Sequence, residues 1–284
     1  MKPIHYFNGE FLHKEDIHIS VDNVGFLRGF GVFEFFKAKG SSPIFIEDHL
    51  ERLYRSAAGL GLEVPLSKEQ FHETVKQLLV KNGMAYSSVK IVLSGGPSTD
   101  GFTPGPTEVL ILNMPFADLD ASVYAQGVSL MLCQYERDFP HIKSLYYANA
   151  VALQPEWKKQ GHIDVLYYKG EYVSEVSRCN VFMVKDGVIK TNQEGVLSGI
   201  TRMHAIEALK NRWPVEIAPL KLKELLSADE VFITSTTKKI LPVVKLGDYQ
   251  IGTGSPGLVS KAALEAFNAY IEDHLAGNQA ACIS

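Results

Sequence analysis

The chain has 284 residues, 46% of them hydrophobic and 21% charged, with a formal net charge of −4. That balance suits a soluble globular enzyme, and the length favours two domains over a single core. The charge argues against a general binder of nucleic acid or anionic membrane, and no apolar run approaches the roughly 18 residues of a membrane span.

The N-terminus, MKPIHYFNGEF, has neither the basic region nor the apolar stretch of a signal peptide. Residues 4–12 predict a hairpin around Asn8-Gly9, a strong short-range turn signal. Residues 31–39 predict a buried strand, because Val32, Phe33, Phe35 and Phe36 are too apolar for a one-sided sheet. Phe45 is expected in a second short strand. From 47 to 60, Leu50, Leu53, Tyr54, Ala57 and Leu60 recur at helical spacing, and Gly61 stops the helix. A second helix is expected over 68–81, ended by Asn82-Gly83. Strands follow at 88–94 and 108–114, on either side of the Gly- and Pro-rich loop GGPSTDGFTPGP.

The segment PFADLDASVYAQG has the look of a linker, which divides the chain into a small N-terminal α/β domain (1–117), a linker (118–127) and a larger C-terminal domain (128–284). A new strand set begins near Val128, and helical spacing returns from 147 to 160. Strands are expected at 164–168, 172–176, 180–184 and 188–191, the last two joined by a hairpin at Lys185-Asp186-Gly187. Helices are expected at 202–213, 220–226 and 258–275, with a short strand at 231–234. Strands and helices come in blocks rather than strict alternation, so the fold class is α+β.

Chemistry gathers around Lys143 in HIKSLYYANAV. Flanked by Ile142, Leu145 and Tyr146, it is expected in a largely apolar pocket, where desolvation exposes the free amine as a nucleophile. A single lysine is more often a solvated surface residue, so its companions matter. Glu175 lies on a strand beside Val173 and Val176, where it is either an edge-strand surface carboxylate or a buried one that needs a partner. Gly199 precedes a helix whose first amides, of Ile200 and Thr201, suit a phosphate; a plain Ser or Thr cap fits the same letters. The hydroxyl run Thr234 to Thr237 reads as a turn or as part of the same phosphate cup. Arg52 is either one of several surface ion-pair residues, with Arg55, Asp48 and Glu51, or a bidentate phosphate ligand. A covalent anchor, a ring-nitrogen partner and phosphate donors are what pyridoxal phosphate requires. The three widely spaced cysteines, Cys133, Cys179 and Cys282, suggest neither a disulfide framework nor a zinc site, hence a reduced, cytoplasmic protein.

In order and spacing, FNGEF, HLERL, IKSLYYAN, EVSRCNVF, LSGITR and EVFITSTTKKILPV resemble the class IV (fold-type IV) pyridoxal-phosphate aminotransferases. That group includes branched-chain and D-amino-acid aminotransferases and 4-amino-4-deoxychorismate lyases. The resemblance implies a two-domain fold of the D-amino-acid aminotransferase type, pyridoxal 5'-phosphate between the domains, and a homodimer. It implies that Lys143 is the Schiff-base lysine and Glu175 the pyridine-nitrogen partner. Arg52, Ile200, Thr201, Ser235 and Thr236 then bind phosphate, Leu197 packs on the ring and Tyr147 stands near its 3-hydroxyl.

The substrate pocket departs from the better-known patterns. Phe33 replaces the tyrosine of D-amino-acid enzymes, Lys37 replaces an arginine common in branched-chain enzymes, and SGGPSTDGFTP lacks the carboxylate-trapping arginine and histidine. Glu34 and Phe35 stand where lyases of the best-known type carry a threonine. Arg28, Lys37 and Arg137 are the candidate substrate cations. The implied activity moves an amino group between an amino acid, of branched-chain type by preference, and a 2-oxo acid. The alternative is a lyase releasing pyruvate and 4-aminobenzoate; a phosphate-recognising module without chemistry is the rival from another class. Neither nucleic acid nor membrane is an expected partner.

Overall fold

The computed structural model describes residues 2–281; Cys282 lies outside them. It divides into two compact units. The first holds the chain up to Ala117, the segment Ile142–Tyr147 and the chain from His274 on; the second holds Asp118–His141 and Ala148–Asp273.

In the first unit, Ile4–Phe7 (β1) and Glu10–His13 (β2) form the expected hairpin, with Asn8 and Gly9 both at positive φ. Val24–Arg28 (α1) is a short helix capped by the Asn23 side chain. Gly31–Lys39 (β3) and Ser42–Pro43 (β4) precede two helices, Ile46–Leu60 (α2) and Lys68–Asn82 (α3). Tyr86–Ser94 (β5) and Glu108–Pro115 (β6) complete an antiparallel sheet ordered β2-β1-β6-β5-β3-β4. Alternation along the central strands decides the faces. Val32, Phe36, Val89 and Ile91 enter a core with Leu50 and Leu53 of α2, whereas Phe33, Phe35, Lys37 and Lys90 belong to the opposite parity. Gly61 closes α2 in the left-handed conformation, and Ser67 with Gln70 makes a reciprocal capping box on α3.

The second unit begins with Ala121–Gln126 (α4) and Val128–Gln134 (β7), then Ala148–Lys159 (α5). Asp164–Lys169 (β8), Tyr172–Val176 (β9), Asn180–Lys185 (β10) and Val188–Thr191 (β11) follow, then Ile200–Leu209 (α6). Val215–Ile217 (β12), Leu220–Lys221 (β13), Leu222–Leu226 (α7), Glu230–Ser235 (β14), Lys239–Leu246 (β15), Tyr249–Gln250 (β16) and Leu258–Ala281 (α8) close the chain. Its mixed sheet runs β12-β11-β10-β14-β15-β7-β8-β9-β13, with β16 on β15. Phe182 and Phe232 stack face to face in its interior, 4.8 Å apart.

Two expectations are corrected, for Phe45 and for the helix over 202–213, and the linker stretch proves to hold a short helix. Phe45 is not a strand residue: it is the N-cap of α2, at φ 56°, with its ring 4.5 Å from that of His274. The stretch expected to be a linker contains α4, because Asp120 accepts the Ser122 amide and starts a helix. The helix expected over 202–213 starts two residues earlier and stops at Leu209. An unpredicted central strand, β15, contains Pro242, which normally argues for an edge. Pro242 faces Phe232 of β14, while the pairing with β7 begins only at Val243, so the missing N–H falls outside that ladder. Among the described residues no helix is long and apolar enough to cross a membrane.

Candidate active site

Lys143 belongs to the first unit, and its segment is stapled to the free edge of β3. The Phe33 amide donates to the Lys143 carbonyl, and the Leu145 amide donates to the Gly31 carbonyl, both at 2.9 Å. The Lys143 amide donates to the buried Ser56 hydroxyl of α2 at 3.1 Å. Two glycines make room for the flanking side chains. A Cβ on Gly31 would lie 2.7 Å from Leu145 Cδ1, and one on Gly59 would lie 2.8 Å from Ile142 Cδ1. With its neighbours so fixed, Lys143 lays its Nζ 4.4 Å from the centre of the Phe33 ring. Tyr147 meets the same ring edge-on at 5.9 Å. Phe33 thus sets an apolar ring beside the Lys143 amine, while Ile142 packs toward the core of this unit and Tyr146 is half exposed.

Behind β3 lies a buried charge network. Arg52 forks onto Glu34, with Nε to Oε1 at 2.7 Å and Nη2 to Oε2 at 2.8 Å, and His49 Nδ1 donates to Oε2 at 2.7 Å. Burial alone would raise the Glu34 carboxyl. The Arg52 charge and the hydrogen bonds from Arg52 and His49 outweigh that and hold it far below the usual carboxylate range. Burial depresses His49, and the nearby positive charges of Arg52 and Lys143 add to that against the pull of Glu34. His49 is thus a neutral imidazole whose Nδ1–H faces an ionised carboxylate. The surface ion-pair reading of Arg52 fails: Arg52 is buried, and Glu51 on the outer side of α2 pairs with Lys68 instead.

The second unit holds the carboxylate and the phosphate-type donors. Glu175 on β9 is 4% exposed, which overturns the edge-strand surface alternative. Its Oε1 accepts from Arg137 Nε at 2.6 Å and its Oε2 from the Leu197 amide at 3.0 Å. Arg137 also donates to the Pro140 carbonyl at 2.6 Å, so two acceptors fix the guanidinium beside Glu175. Asn180 of β10 donates to the Leu197 carbonyl at 2.8 Å, and its Oδ1 would lie 1.9 Å from a Cβ at Gly199. That close approach requires glycine at the N-cap of α6, where no side chain caps the helix. The first amides of α6, on Ile200 and Thr201, have no intrahelical partner by construction. Ser235 ends β14 and Thr236 follows it; Thr234 of the same strand pairs with Asn180, and its buried Oγ1 has no hydrogen-bond partner among the described residues.

A family model described as amino-transferase class IV matches residues 31–246. The chain is a class IV aminotransferase. The D-alanine aminotransferase of Staphylococcus epidermidis is 28% identical to it over 95% of this chain and 98% of that one. A putative branched-chain-amino-acid aminotransferase of Methanocaldococcus jannaschii is 32% identical, covering 92% and 94%. Among solved structures, the branched-chain amino acid aminotransferase of Escherichia coli superimposes at TM-score 0.88 and 27% identity, covering 95% of each chain. The family uses pyridoxal phosphate.

In this class IV aminotransferase the residues fit that group by their chemistry. Glu175 is an immobilised carboxylate suited to a protonated ring nitrogen, and the uncapped α6 amides suit a phosphate, as do the neighbouring hydroxyls. Of the candidate substrate cations, Arg137 is engaged by Glu175. Lys37 is buried with its Nζ over the rings of Tyr86 and Phe116, at 5.7 and 5.5 Å. Arg28 is exposed at the end of α1 and donates to its neighbour's carbonyl, Leu27, at 3.3 Å. Glu34 figures in the sequence only as a departure from the lyase pattern, and Ser56, Lys90 and Asn180 are not among the candidates. Only Glu34 carried a signal: it shares the core-facing parity of Val32 and Phe36, where a carboxylate needs partners.

Proposed function

We propose that this class IV aminotransferase binds pyridoxal 5'-phosphate and moves amino groups between an amino acid, branched-chain by preference, and a 2-oxo acid. The observation that carries the reading is Lys143, its segment stapled by three hydrogen bonds from backbone amides and its amine set over an apolar ring. When bound, the cofactor supplies an aldehyde for covalent anchoring and a ring that accepts the electron pair released at the substrate's α-carbon. Lys143 provides the anchoring amine. The same amine would also serve as the base for the substrate's α-proton and as the acid that gives it back. Glu175, held by Arg137 and the Leu197 amide, keeps a proton on the ring nitrogen. The Ile200 and Thr201 amides, the Ser235 and Thr236 hydroxyls and Arg52 would hold its phosphate, Leu197 would pack on its ring and Tyr147 would serve its 3-hydroxyl.

The branched-chain preference is supported by the names of the archaeal relative and the superimposed structure. Lys37 adds to it, as a cation where branched-chain enzymes commonly carry an arginine. The lyase alternative is not favoured, since these relatives are named aminotransferases. We place the enzyme in the cytoplasm as a homodimer; cell fractionation tests the location.

The purified protein, reconstituted with cofactor, should show a band near roughly 400–430 nm that Lys143→Ala abolishes together with transamination. A wild-type protein that stays colourless would sink the proposal. A screen of L- and D-amino acids against 2-oxoglutarate and pyruvate, with the chorismate derivative included, assigns the substrate.

A further inference from the structure

In the second unit Glu175 is held by a closed circuit of hydrogen bonds, and His141 completes it. The plane of the carboxylate is set through both oxygens: Arg137 Nε donates to Oε1 at 2.6 Å and the Leu197 amide to Oε2 at 3.0 Å. Arg137 also turns back onto the Pro140 carbonyl at 2.6 Å, one residue before His141. His141 Nδ1 lies 3.0 Å from the Val196 carbonyl, one residue before Leu197. A carbonyl only accepts, so Nδ1 carries the proton and donates it. The circuit runs from Glu175 through Arg137, Pro140, His141, Val196 and Leu197 back to Glu175.

The segment that presents Leu197 is tied at its ends. At one end the Asn192 side-chain amide donates to the Val173 and Ser174 carbonyls of β9, at 3.0 and 2.8 Å. At the other, Asn180 holds the Leu197 carbonyl at 2.8 Å. Between them Gln193 and Glu194 are exposed, and Gly195 turns the chain at φ 66°. Val196 is buried, so its carbonyl needs a donor, and His141 supplies one. The imidazole itself is exposed and lines a cavity of about 970 Å³, so packing alone does not fix it. Its hydrogen bond does.

We infer that His141 is a positioning residue: through the Val196 carbonyl it sets the Leu197 amide on Glu175, and so fixes that carboxylate for the cofactor's ring nitrogen. This rests on the function proposed above. His141 acts through Glu175, so its loss should cost cofactor affinity only while Glu175 is there to be misplaced.

The full-length protein is stripped of cofactor and titrated with pyridoxal phosphate, with the absorbance band reporting binding. His141→Leu fills similar space without a donor, whereas His141→Asn keeps a donor at about the position of Nδ1. His141→Leu should raise the Kd at least about threefold, and His141→Asn should stay within about twofold of wild type. In a Glu175→Gln background His141→Leu should add no more than about twofold, because residues that act as one unit are not additive. The inference is overturned if His141→Leu raises the Kd less than about threefold, or if the asparagine variant binds as weakly as the leucine one. It is overturned equally if the loss is as large in the Glu175→Gln background, the behaviour of a residue that only supports the fold. If the leucine variant does not fold, His141→Gln replaces it, since its amide reaches past Nδ1 towards the position of Nε2. Wild-type protein that takes up no cofactor removes the proposed function and this assignment together; normal wild-type binding with a Kd independent of His141 removes only the assignment.

Discussion

Glu34 shows how one residue can carry most of the electrostatics of a strand. A carboxylate on the core side of β3 is tolerable because Arg52 and His49 together occupy its oxygens. Glu34→Gln keeps the shape and removes the charge, leaving Arg52 without this counter-ion in a buried setting. The expected cost is about 3–5 kcal/mol at neutral pH, read from urea denaturation. The pH dependence has a definite sign. The folded carboxyl titrates below its ordinary 4.5, so its contribution is present above that value and is lost as pH falls below it. The gap between wild type and variant should therefore shrink on acidification from neutrality to about pH 3. A gap that stays constant over that range contradicts the assignment. The letters FEF display an acidic residue among aromatics, but Arg52 lies 18 residues away, and nothing in the string aims one at the other.

At the scale of elements, local rules performed well where a single segment decided its own conformation. The β1–β2 hairpin, β3, α2 and α3 follow from turn chemistry, alternation, helical spacing and left-handed glycines. They failed where a distant partner intervened. Phe45 adopts a left-handed N-cap against His274, and β15 runs through Pro242 because its neighbours leave that position unpaired on one side. The Lys143 segment belongs to this second kind. It is placed by the edge of β3, by Ser56 and by two glycines that admit Leu145 and Ile142. Gly31→Ala would put a Cβ 2.5 Å from the Leu93 carbonyl as well as against Leu145. The backbone oxygen cannot swing away as a side chain could, so the staple should loosen. We expect a loss of about 1–3 kcal/mol in stability and a weaker cofactor band. A variant with unchanged stability and full band intensity would show that the staple does not position Lys143.

Across the whole molecule the chain does not divide by a single cut. It leaves the first unit at Ala117, returns for Ile142–Tyr147 and returns again from His274. Lys143 thus folds with the first unit, while Glu175, Leu197, Ile200, Thr201, Ser235 and Thr236 fold with the second. The proposed homodimer predicts a sedimentation-equilibrium mass near twice the 31.4 kDa of the chain, and a monomer across the accessible concentrations would refute it. The sequence by itself determined the family, the local elements and the residue types of the site, because ordered motifs, periodicity and turn residues act over a few positions. Only the tertiary structure decided that Arg52 is paired with Glu34, that Arg137 serves Glu175, and that Lys90 and Lys143 reach the same Phe33 ring. Each of those depends on cross-strand register and burial between residues distant in the chain, and no local pattern in the sequence encodes them.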